Sequence, residues 1–248
     1  MNNKNSYSVI LPTLNEAGHI KSLILDISNT FAKQNIKHQI VIVDDNSTDG
    51  TLEEVAKIQN LEIVIHKRIN KRKSLVNSLN EGIEIAKYNK IIWLDADYSH
   101  PPELIEKFLN IFSHNEIDLA VGSRFLKESK RYYDEKNQNP VAIDLMSILL
   151  NKVCKFFLFN DFYDYTSGYI CIKKEVIKEL RLKGYYGDYF IVLISKLKKL
   201  NKKIIEIPFI EKERASGESK TTKNKIGLII KCFFYFFALI ESMIIKYL

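Results

Sequence analysis

The chain has 248 residues, of which 46% are hydrophobic and 27% charged, with only 9 glycines and 5 prolines. This length and composition fit one large α/β domain or two small ones and exclude a low-complexity chain. The net charge of +7 favours an anionic partner, such as nucleic acid, an anionic membrane surface or a phosphorylated substrate. Zinc-finger spacing and strands of alternating basic and aromatic residues do not occur, which speaks against nucleic acid. The three widely spaced cysteines, Cys154, Cys171 and Cys232, fit a reducing compartment and not a disulfide framework or zinc site.

The first half of the chain alternates short apolar segments with segments of helical periodicity. Strands are predicted at 8–11, 39–43, 61–65, 91–94 and 119–121. Helices are predicted at 15–33 and 74–87, with others beginning at 51 and 101. This alternation predicts the α/β class, with a doubly wound, mostly parallel sheet. Ligands then bind beyond the C-terminal ends of the strands.

The second half is less regular and ends in a segment of different composition. Helices are predicted at 144–159, 176–182 and 189–200, a turn at 167–168, a strand at 204–208 and a polar, basic loop at 214–225. Residues 226–248 would form a helix of about 34 Å at about 1.5 Å per residue, apolar around most of its girth with one narrow polar stripe. Three interpretations stay open: a helix lying in a membrane interface, a spanning helix, or a core or oligomer-interface helix. We therefore divide the chain into one α/β domain, 1–225, and a membrane-associating or interface helix, 226–248.

Four polar clusters follow predicted strands, at 11–16, 43–51, 95–97 and 122–124. Each one alone has a structural explanation as a turn or a helix cap. Together, at successive strand ends of a doubly wound sheet, they indicate one ligand site. The pair Asp95 and Asp97 supplies two carboxylates at the end of a buried strand, which suits Mg²⁺ or Mn²⁺ bridging to phosphate groups. Two basic clusters, at 67–73 and 196–203, fit solvated loop and helix faces.

Six short strings carry a resemblance to a known family: 12–16 (PTLNE), 43–51 (VDDNSTDGT), 95–103 (DADYSHPPE), 122–125 (GSRF), 166–168 (TSG) and 214–220 (RASGESK). The sequence resembles a family 2 glycosyltransferase of the GT-A fold, over about residues 6–220. Within that family it is most similar to dolichol-phosphate mannose synthases and related polyprenyl-phosphate glycosyltransferases. It departs from the family pattern at 74–78, which lacks the usual glycines, at Ile170, where an arginine is usual, and at Leu14, where an aromatic residue is common.

The resemblance implies roles for individual residues. Asp95 and Asp97 would bind Mg²⁺ or Mn²⁺ against the donor diphosphate, with Ser99 as a weaker third ligand. Asp97, Arg124 and Arg214 form the predicted catalytic set. The residues predicted to contact substrate are Pro12, Leu14, Glu16, Val43, Asp45, Asp95, Ala96, Asp97, Arg124, Arg214 and Lys220. Among them, the residues of the first two clusters would line the nucleotide pocket, and Arg124, Arg214 and Lys220 would bind phosphate oxygens.

The predicted function is metal-dependent, inverting transfer of a hexose, mannose from GDP-mannose first, to a polyprenyl (dolichyl) phosphate. Such an acceptor is already an anion, so it needs positioning more than a general base. The expected location is the cytoplasmic face of a membrane, peripheral or through a single C-terminal anchor. Expected partners are the nucleotide sugar, the lipid phosphate, the membrane surface and, through 226–248, either a membrane protein or a second copy, but no nucleic acid. Two alternatives are a family 2 transferase acting on a hydroxyl group, with Asp188 as base, and a degenerate transferase domain serving as a membrane scaffold.

Overall fold

The computed structural model describes residues 5–114, 116–130, 140–212 and 225–248. These ranges contain strands and helices that alternate along most of the chain. In chain order they are β1 (Ser6–Thr13), α1 (Ile20–Lys33), β2 (Lys37–Asp44), α2 (Thr51–Ala56), β3 (Ile63–Lys67), α3 (Leu75–Ile85), β4 (Lys90–Trp93), α4 (Leu104–His114), β5 (Leu119–Ser123), α5 (Pro140–Phe157), β6 (Ile170–Lys173), α6 (Lys174–Lys178), α7 (Tyr189–Lys199), β7 (Ile204–Pro208) and α8 (Lys225–Tyr247).

The described strands form one sheet in the order β3-β2-β1-β4-β6-β5-β7. The pairs β1–β2, β2–β3, β1–β4 and β5–β7 are parallel, whereas β6 is antiparallel to both β4 and β5. The predicted doubly wound, mostly parallel sheet is therefore confirmed. The sequence analysis missed β6, because this strand has only four residues and α6 begins at the next residue without a turn between them.

The central strands of the sheet are buried on both faces, as is usual when helices cover a parallel sheet. In β1, Val9 and Leu11 pack on the face covered by α1 and α4, whereas Ile10 packs on the face covered by α3 and α7. Helix α3 lies very close to the sheet at Gly82, where an added Cβ would come within 2.6 Å of Ile10 Cγ2. Both faces contribute to the core, and the strand ends are the places where polar residues collect.

The last helix, α8, packs against α7. Ala238 and Leu239 of α8 are buried and belong to the same apolar cluster as the buried face of α7. The C-terminal helix is thus in contact with the rest of the fold. In the part of the chain that the structure describes, no helix combines the length and apolar composition that crossing a bilayer requires.

Candidate functional site

The C-terminal ends of β1 and β2 are joined through Asp44. Thr13 pairs with Asp44 in the parallel ladder, and its Oγ1 donates a hydrogen bond to Asp44 Oδ2 at 2.9 Å. The backbone N–H of Ser47 donates to Asp44 Oδ1 at 2.8 Å. Because Asp44 is fully buried and both its oxygens accept hydrogen bonds, it holds the two strand ends together.

The loop after β1 is bound along its backbone by side chains of the loop and helix after β2. Helix α1 begins at Ile20 and not at 15 as predicted, because Asn15 and Gly18 have φ angles of 55° and 90°, in the left-handed region that a right-handed helix excludes. The contacts are Asn15 N to Ser47 Oγ (2.8 Å), Glu16 N to Thr51 Oγ1 (2.8 Å), Ala17 N to Asp49 Oδ2 (2.9 Å) and Gly18 N to Glu54 Oε1 (2.8 Å).

The residues predicted to line a nucleotide pocket lie at these two joined strand ends. Pro12 and Leu14 are half-buried at the end of β1, and Val43 is buried in β2. Glu16 Oε2 lies 3.2 Å from Nε2 of His19, at the start of α1. The backbone N–H of Asp45 donates to Thr13 O at 2.9 Å, which places the first two predicted clusters side by side.

The carboxylate of Asp45 is engaged by a buried arginine that the sequence analysis did not single out. Arg68, just after β3, donates from Nη1 to Asp45 Oδ1, and the backbone N–H of Ser74 donates to Asp45 Oδ2 at 2.8 Å. Arg68 also donates to Glu81 at 3.1 Å and to Ser78 at 3.2 Å. The interpretation of 67–73 as a solvated basic cluster is therefore wrong for Arg68, which is buried and joins Asp45 to α3.

The turn after β4 holds Asp95 and Asp97 in a defined geometry. Oδ1 of Asp97 accepts hydrogen bonds from the backbone N–H of Ser99 at 3.0 Å and from its Oγ at 2.6 Å. The backbone N–H of Asp95 donates to Nδ1 of the buried His100 at 3.0 Å. In this structure the Ser99 hydroxyl therefore orients Asp97. The role of Ser99 as a metal ligand stays a prediction.

Tyr98 gives this turn its shape. Its φ of 67° lies in the left-handed region, which costs a non-glycine residue on the order of 1 kcal/mol. The Tyr98 hydroxyl donates to Asp26 Oδ2 of α1 at 2.7 Å. Burial, followed by this hydrogen bond, raises the pKa of Tyr98 above its ordinary value, so the hydroxyl stays a donor. Helix α1 thus fixes the residue between Asp97 and Ser99.

The donor set of this turn fits a hard divalent cation that shares its coordination with a substrate. Across the described ranges, no group of three or more His, Cys, Asp or Glu side chains could hold a metal ion by itself. Two carboxylates with phosphate oxygens and water completing the shell are what Mg²⁺ prefers. Asp95 and Asp97 match this chemistry and lie beside β1, because Trp93 pairs with Ile10.

Arg124, directly after β5, is bound by the buried Asp164. Its Nε lies 2.9 Å from Asp164 Oδ2, its Nη2 lies 3.0 Å from Oδ1, and Nη2 also donates to Thr166 O at 2.7 Å. Burial alone would raise the pKa of Asp164, but the charge and hydrogen bonds of Arg124 outweigh it and hold the pKa below its usual value. The sequence analysis missed Asp164, and only its position two residues before the 166–168 string pointed to it.

The structure places some of the predicted site residues close together and others farther apart. The ends of β1, β2 and β4 are adjacent, whereas β5 is separated from β4 by β6, so Arg124 lies farther along the same edge. Arg214 and Lys220 lie outside the described residues. The segment leading to them is in contact with the site, because the backbone N–H of Lys212 donates to Ser99 O at 3.2 Å.

Comparisons with known proteins agree with this arrangement. The family model described as Glycosyl transferase family 2 matches residues 8–181. The chain is 33% identical over 217 residues to the Dolichol-phosphate mannosyltransferase of Pyrococcus furiosus, covering 86% of this chain but 58% of that relative. It is 28% identical over 204 residues to an uncharacterized protein of Methanocaldococcus jannaschii, covering 79% of this chain and 84% of that protein.

Solved structures share the fold at low sequence identity. Glucosyl-3-phosphoglycerate synthase from Mycobacterium tuberculosis, solved with Mn²⁺, UDP-glucose and phosphoglyceric acid, superimposes with a TM-score of 0.71 at 17% identity. The superposition covers 96% of this chain and 80% of that chain. The sheet and its helices therefore form the same fold as a protein crystallised with a nucleotide sugar and a divalent cation.

Proposed function

The chain belongs to glycosyl transferase family 2, and on that premise we propose that this glycosyltransferase moves a hexose from a nucleotide sugar to a polyprenyl phosphate at a membrane surface. GDP-mannose is the first candidate for the donor. The observation that carries this proposal is the 33% identity to the Pyrococcus furiosus Dolichol-phosphate mannosyltransferase over most of this chain. The chain spans 58% of that relative's length. The acceptor and the sugar are therefore proposals for this chain and are not transferred from that relative.

The nucleotide would lie across the joined ends of β1 and β2. Pro12, Leu14 and Val43 would supply apolar contacts, and Glu16 would accept hydrogen bonds from the base or ribose. Asp45 would act partly through Arg68, because its carboxylate is already bound by that guanidinium and by Ser74 N. The bonds along 15–18 preorganise the loop, so little conformational entropy is lost when a ligand binds.

The diphosphate would lie beside Ala96, between Asp95 and Asp97. When bound, Mg²⁺ or Mn²⁺ would neutralise charge that develops on the departing nucleoside diphosphate. The residues of this chain hold and aim the ligands: Ser99 fixes one oxygen of Asp97, and His100 fixes the backbone of Asp95. Arg124, Arg214 and Lys220 would complete the positive surroundings of the phosphates.

A phosphate acceptor agrees with the environment of Asp188, the residue considered as a base for a hydroxyl acceptor. Asp188 is buried, and its Oδ1 accepts hydrogen bonds from the backbone N–H groups of Tyr185 at 3.1 Å and Tyr186 at 2.6 Å. These bonds commit the carboxylate to holding its own loop. A lipid phosphate attacks the anomeric carbon as an anion, forming one C–O bond while the bond to the diphosphate breaks, with inversion and without proton removal.

The test is a transfer assay with a panel of nucleotide sugars, Mn²⁺ or Mg²⁺ and a short polyprenyl phosphate, with glycosylated lipid as the product. We expect product with at least one donor and loss on chelation of the metal. Asp97→Asn keeps the shape of the side chain but removes its charge, and it should lower turnover by about a hundredfold or more. Asp161→Asn, at an exposed position, is the matched control and should leave turnover unchanged.

Two results would overturn the proposal. One is transfer to a hydroxyl acceptor with no lipid product from any donor. The other is full activity of Asp97→Asn, which would remove the proposed role of the Asp95 and Asp97 pair.

A further inference from the structure

Helix α8 turns three of its polar residues towards the protein and leaves a row of large apolar residues exposed. Ser242 is fully buried, and Lys246 Nζ donates to Phe157 O at 3.1 Å and to Leu158 O, at the end of α5. Lys231 Nζ lies 4.8 Å from the ring centroid of Tyr186. A helix on a water-facing surface normally has the opposite distribution. Lys231, Ser242 and Lys246 of the narrow polar stripe therefore lie on the inner face of α8, whereas Glu241 is exposed.

The outer face of α8 is a continuous apolar stripe. Its members recur every three or four residues, which places them on one side of a helix, and they are 38–66% exposed. They span about 26 Å at about 1.5 Å per residue. These residues are Ile230, Phe233, Phe237, Ile240, Ile244 and Tyr247.

Helix α5 adds a second exposed apolar stripe. Leu145, Leu149 and Phe156 are 59–81% exposed, and the exposed Lys152 lies between them at the same helical spacing. The C-terminal ends of the two helices are in contact, because Lys246 binds the carbonyls at the end of α5 and the Tyr247 hydroxyl lies 3.4 Å from Phe157 O. We call these two stripes together the α5–α8 apolar surface.

We propose that the α5–α8 apolar surface docks on the headgroup region of a bilayer containing anionic lipids, with α8 lying in the membrane plane. Phe, Ile, Leu and Tyr side chains beside lysines are typical of helices that bury one face at a membrane interface. Helix α5 carries Lys152 and Lys155 against one acidic residue, Asp144, and the whole chain carries +7, which complements an anionic surface. Clusters of exposed apolar side chains on a protein surface mark membrane or protein interaction sites.

The inner face of α8 connects this surface to the proposed site, and in this respect the inference rests on the proposed function. The Tyr235 hydroxyl packs on Gly187, where an added Cβ would meet it at 2.6 Å. Burial raises the pKa of Tyr235, the charge of Asp188 raises it further, and Arg124 opposes this shift. One helix therefore has its outer face on the proposed bilayer and its inner face against Gly187, next to Asp188. A lipid phosphate at the bilayer surface would then approach the fold on the side formed by α7 and α8.

Vesicle flotation of the full chain tests the docking. Wild type should float with vesicles of equal parts phosphatidylcholine and phosphatidylglycerol. Phe233→Glu/Phe237→Glu should lower the partition coefficient by about tenfold or more, because it replaces two outer apolar side chains by charges that lipid phosphates repel. The control Leu25→Glu changes an exposed leucine of α1, which packs on the opposite face of the sheet from α7 and α8, and it should stay within about twofold of wild type. Lys152→Gln should weaken binding to the anionic vesicles about fivefold and to pure phosphatidylcholine vesicles much less.

A fluorescent variant keeps the test valid if the glutamate variant fails to fold. The single tryptophan, Trp93, is 1% exposed, so Phe237→Trp adds a reporter on the outer face. Its emission should shift to the blue on addition of anionic vesicles. An unchanged emission, or flotation of Phe233→Glu/Phe237→Glu equal to wild type, would overturn the docking. So would vesicle-independent dimers that these substitutions dissociate, because a second copy would then cover the surface.

Transfer to a short, water-soluble polyprenyl phosphate without vesicles separates this inference from the proposed function. If wild type and Phe233→Glu/Phe237→Glu transfer equally in solution and only wild type floats, the docking is supported. If wild type floats but transfers to no lipid phosphate, the proposed function fails and the docking stands. If both transfer and both float, the docking fails and the proposed function stands.

Discussion

Asp164→Ala tests whether the end of β5 depends on the buried pair of Asp164 and Arg124. Asp164 is fully buried and accepts hydrogen bonds from Nε and Nη2 of Arg124, from the backbone N–H of Arg124 and from that of Thr166. Its removal leaves a guanidinium that is only 13% exposed. The remaining acidic neighbour of Arg124 among the described residues is Glu211, at 3.5 Å. We therefore expect a large loss of stability.

The magnitude follows from the burial of the pair. Removing one partner of a buried ion pair costs about 3–5 kcal/mol, because an uncompensated charge stays in the interior. Glu211 and the residual exposure of Arg124 compensate in part, so we expect about 3 kcal/mol. At about 2–4 °C per kcal/mol for a domain of this size, the midpoint of thermal unfolding should fall by about 6–12 °C.

Denaturation in urea, with thermal unfolding alongside, measures this loss. The control is Asp161→Ala, which makes the same change at a position 67% exposed, where Asp161 pairs with Lys198 at 2.6 Å. Exposed pairs contribute about 0–1 kcal/mol. In the Arg124→Met background, Asp164→Ala should cost at least about 1 kcal/mol less than in wild type, because the two residues are coupled. A loss equal to that of the control, or strict additivity with Arg124→Met, would refute the reasoning.

Two further predictions concern the supports of the site. Burial raises the pKa of Glu81, but hydrogen bonds from basic neighbours, His66 first, lower it from its ordinary 4.5 to about 2. Because the pKa of Glu81 is lower in the folded than in the unfolded chain, the ionised carboxylate stabilises the fold above pH 4.5. This stabilisation is lost as the pH falls towards 2. The difference in unfolding free energy between wild type and Glu81→Gln should shrink over that interval, and a constant difference would contradict it. Tyr98→Phe removes the hydrogen bond to Asp26 and should raise severalfold the Mg²⁺ or Mn²⁺ concentration needed for half-maximal transfer. The stability cost should stay below about 1.5 kcal/mol. An unchanged metal titration would show that Tyr98 does not position Asp97.

The order of the elements could be predicted from the sequence because alternation of short apolar runs with helical periodicity is a local pattern. The strands β1, β2, β4, β5 and β7 lie where that pattern placed them, and β3 lies two residues later, at Ile63–Lys67. The predicted strand-end clusters at 11–16 and 43–51 meet in the structure for the same reason, because parallel strands of a doubly wound sheet end at one edge.

The partners of the site residues could not be predicted because they are distant in sequence. Arg68 meets Asp45 across 23 positions, and Arg124 meets Asp164 across 40. A single sequence contains no pattern that pairs such residues, since each pairing follows from the packing of separate elements. The start of α1 was misplaced for the same reason, because Asn15 and Gly18 take left-handed φ angles in a loop whose backbone is bound by side chains more than 30 positions later.

Because α8 packs on the rest of the fold, only some experiments can distinguish an effect on membrane binding from an effect on folding. Deleting residues 226–248 would remove the outer apolar stripe, but it would also uncover the face of α7 on which Ala238 and Leu239 pack. It would take away Lys246, which binds carbonyl groups at the end of α5, and Tyr235, which packs on Gly187 next to Asp188. Loss of membrane binding or of transfer after such a deletion would therefore have two causes at once. Substitutions confined to the outer stripe, such as Phe237→Trp, leave these inner contacts in place, so a change in vesicle binding can be assigned to the exposed face of α8.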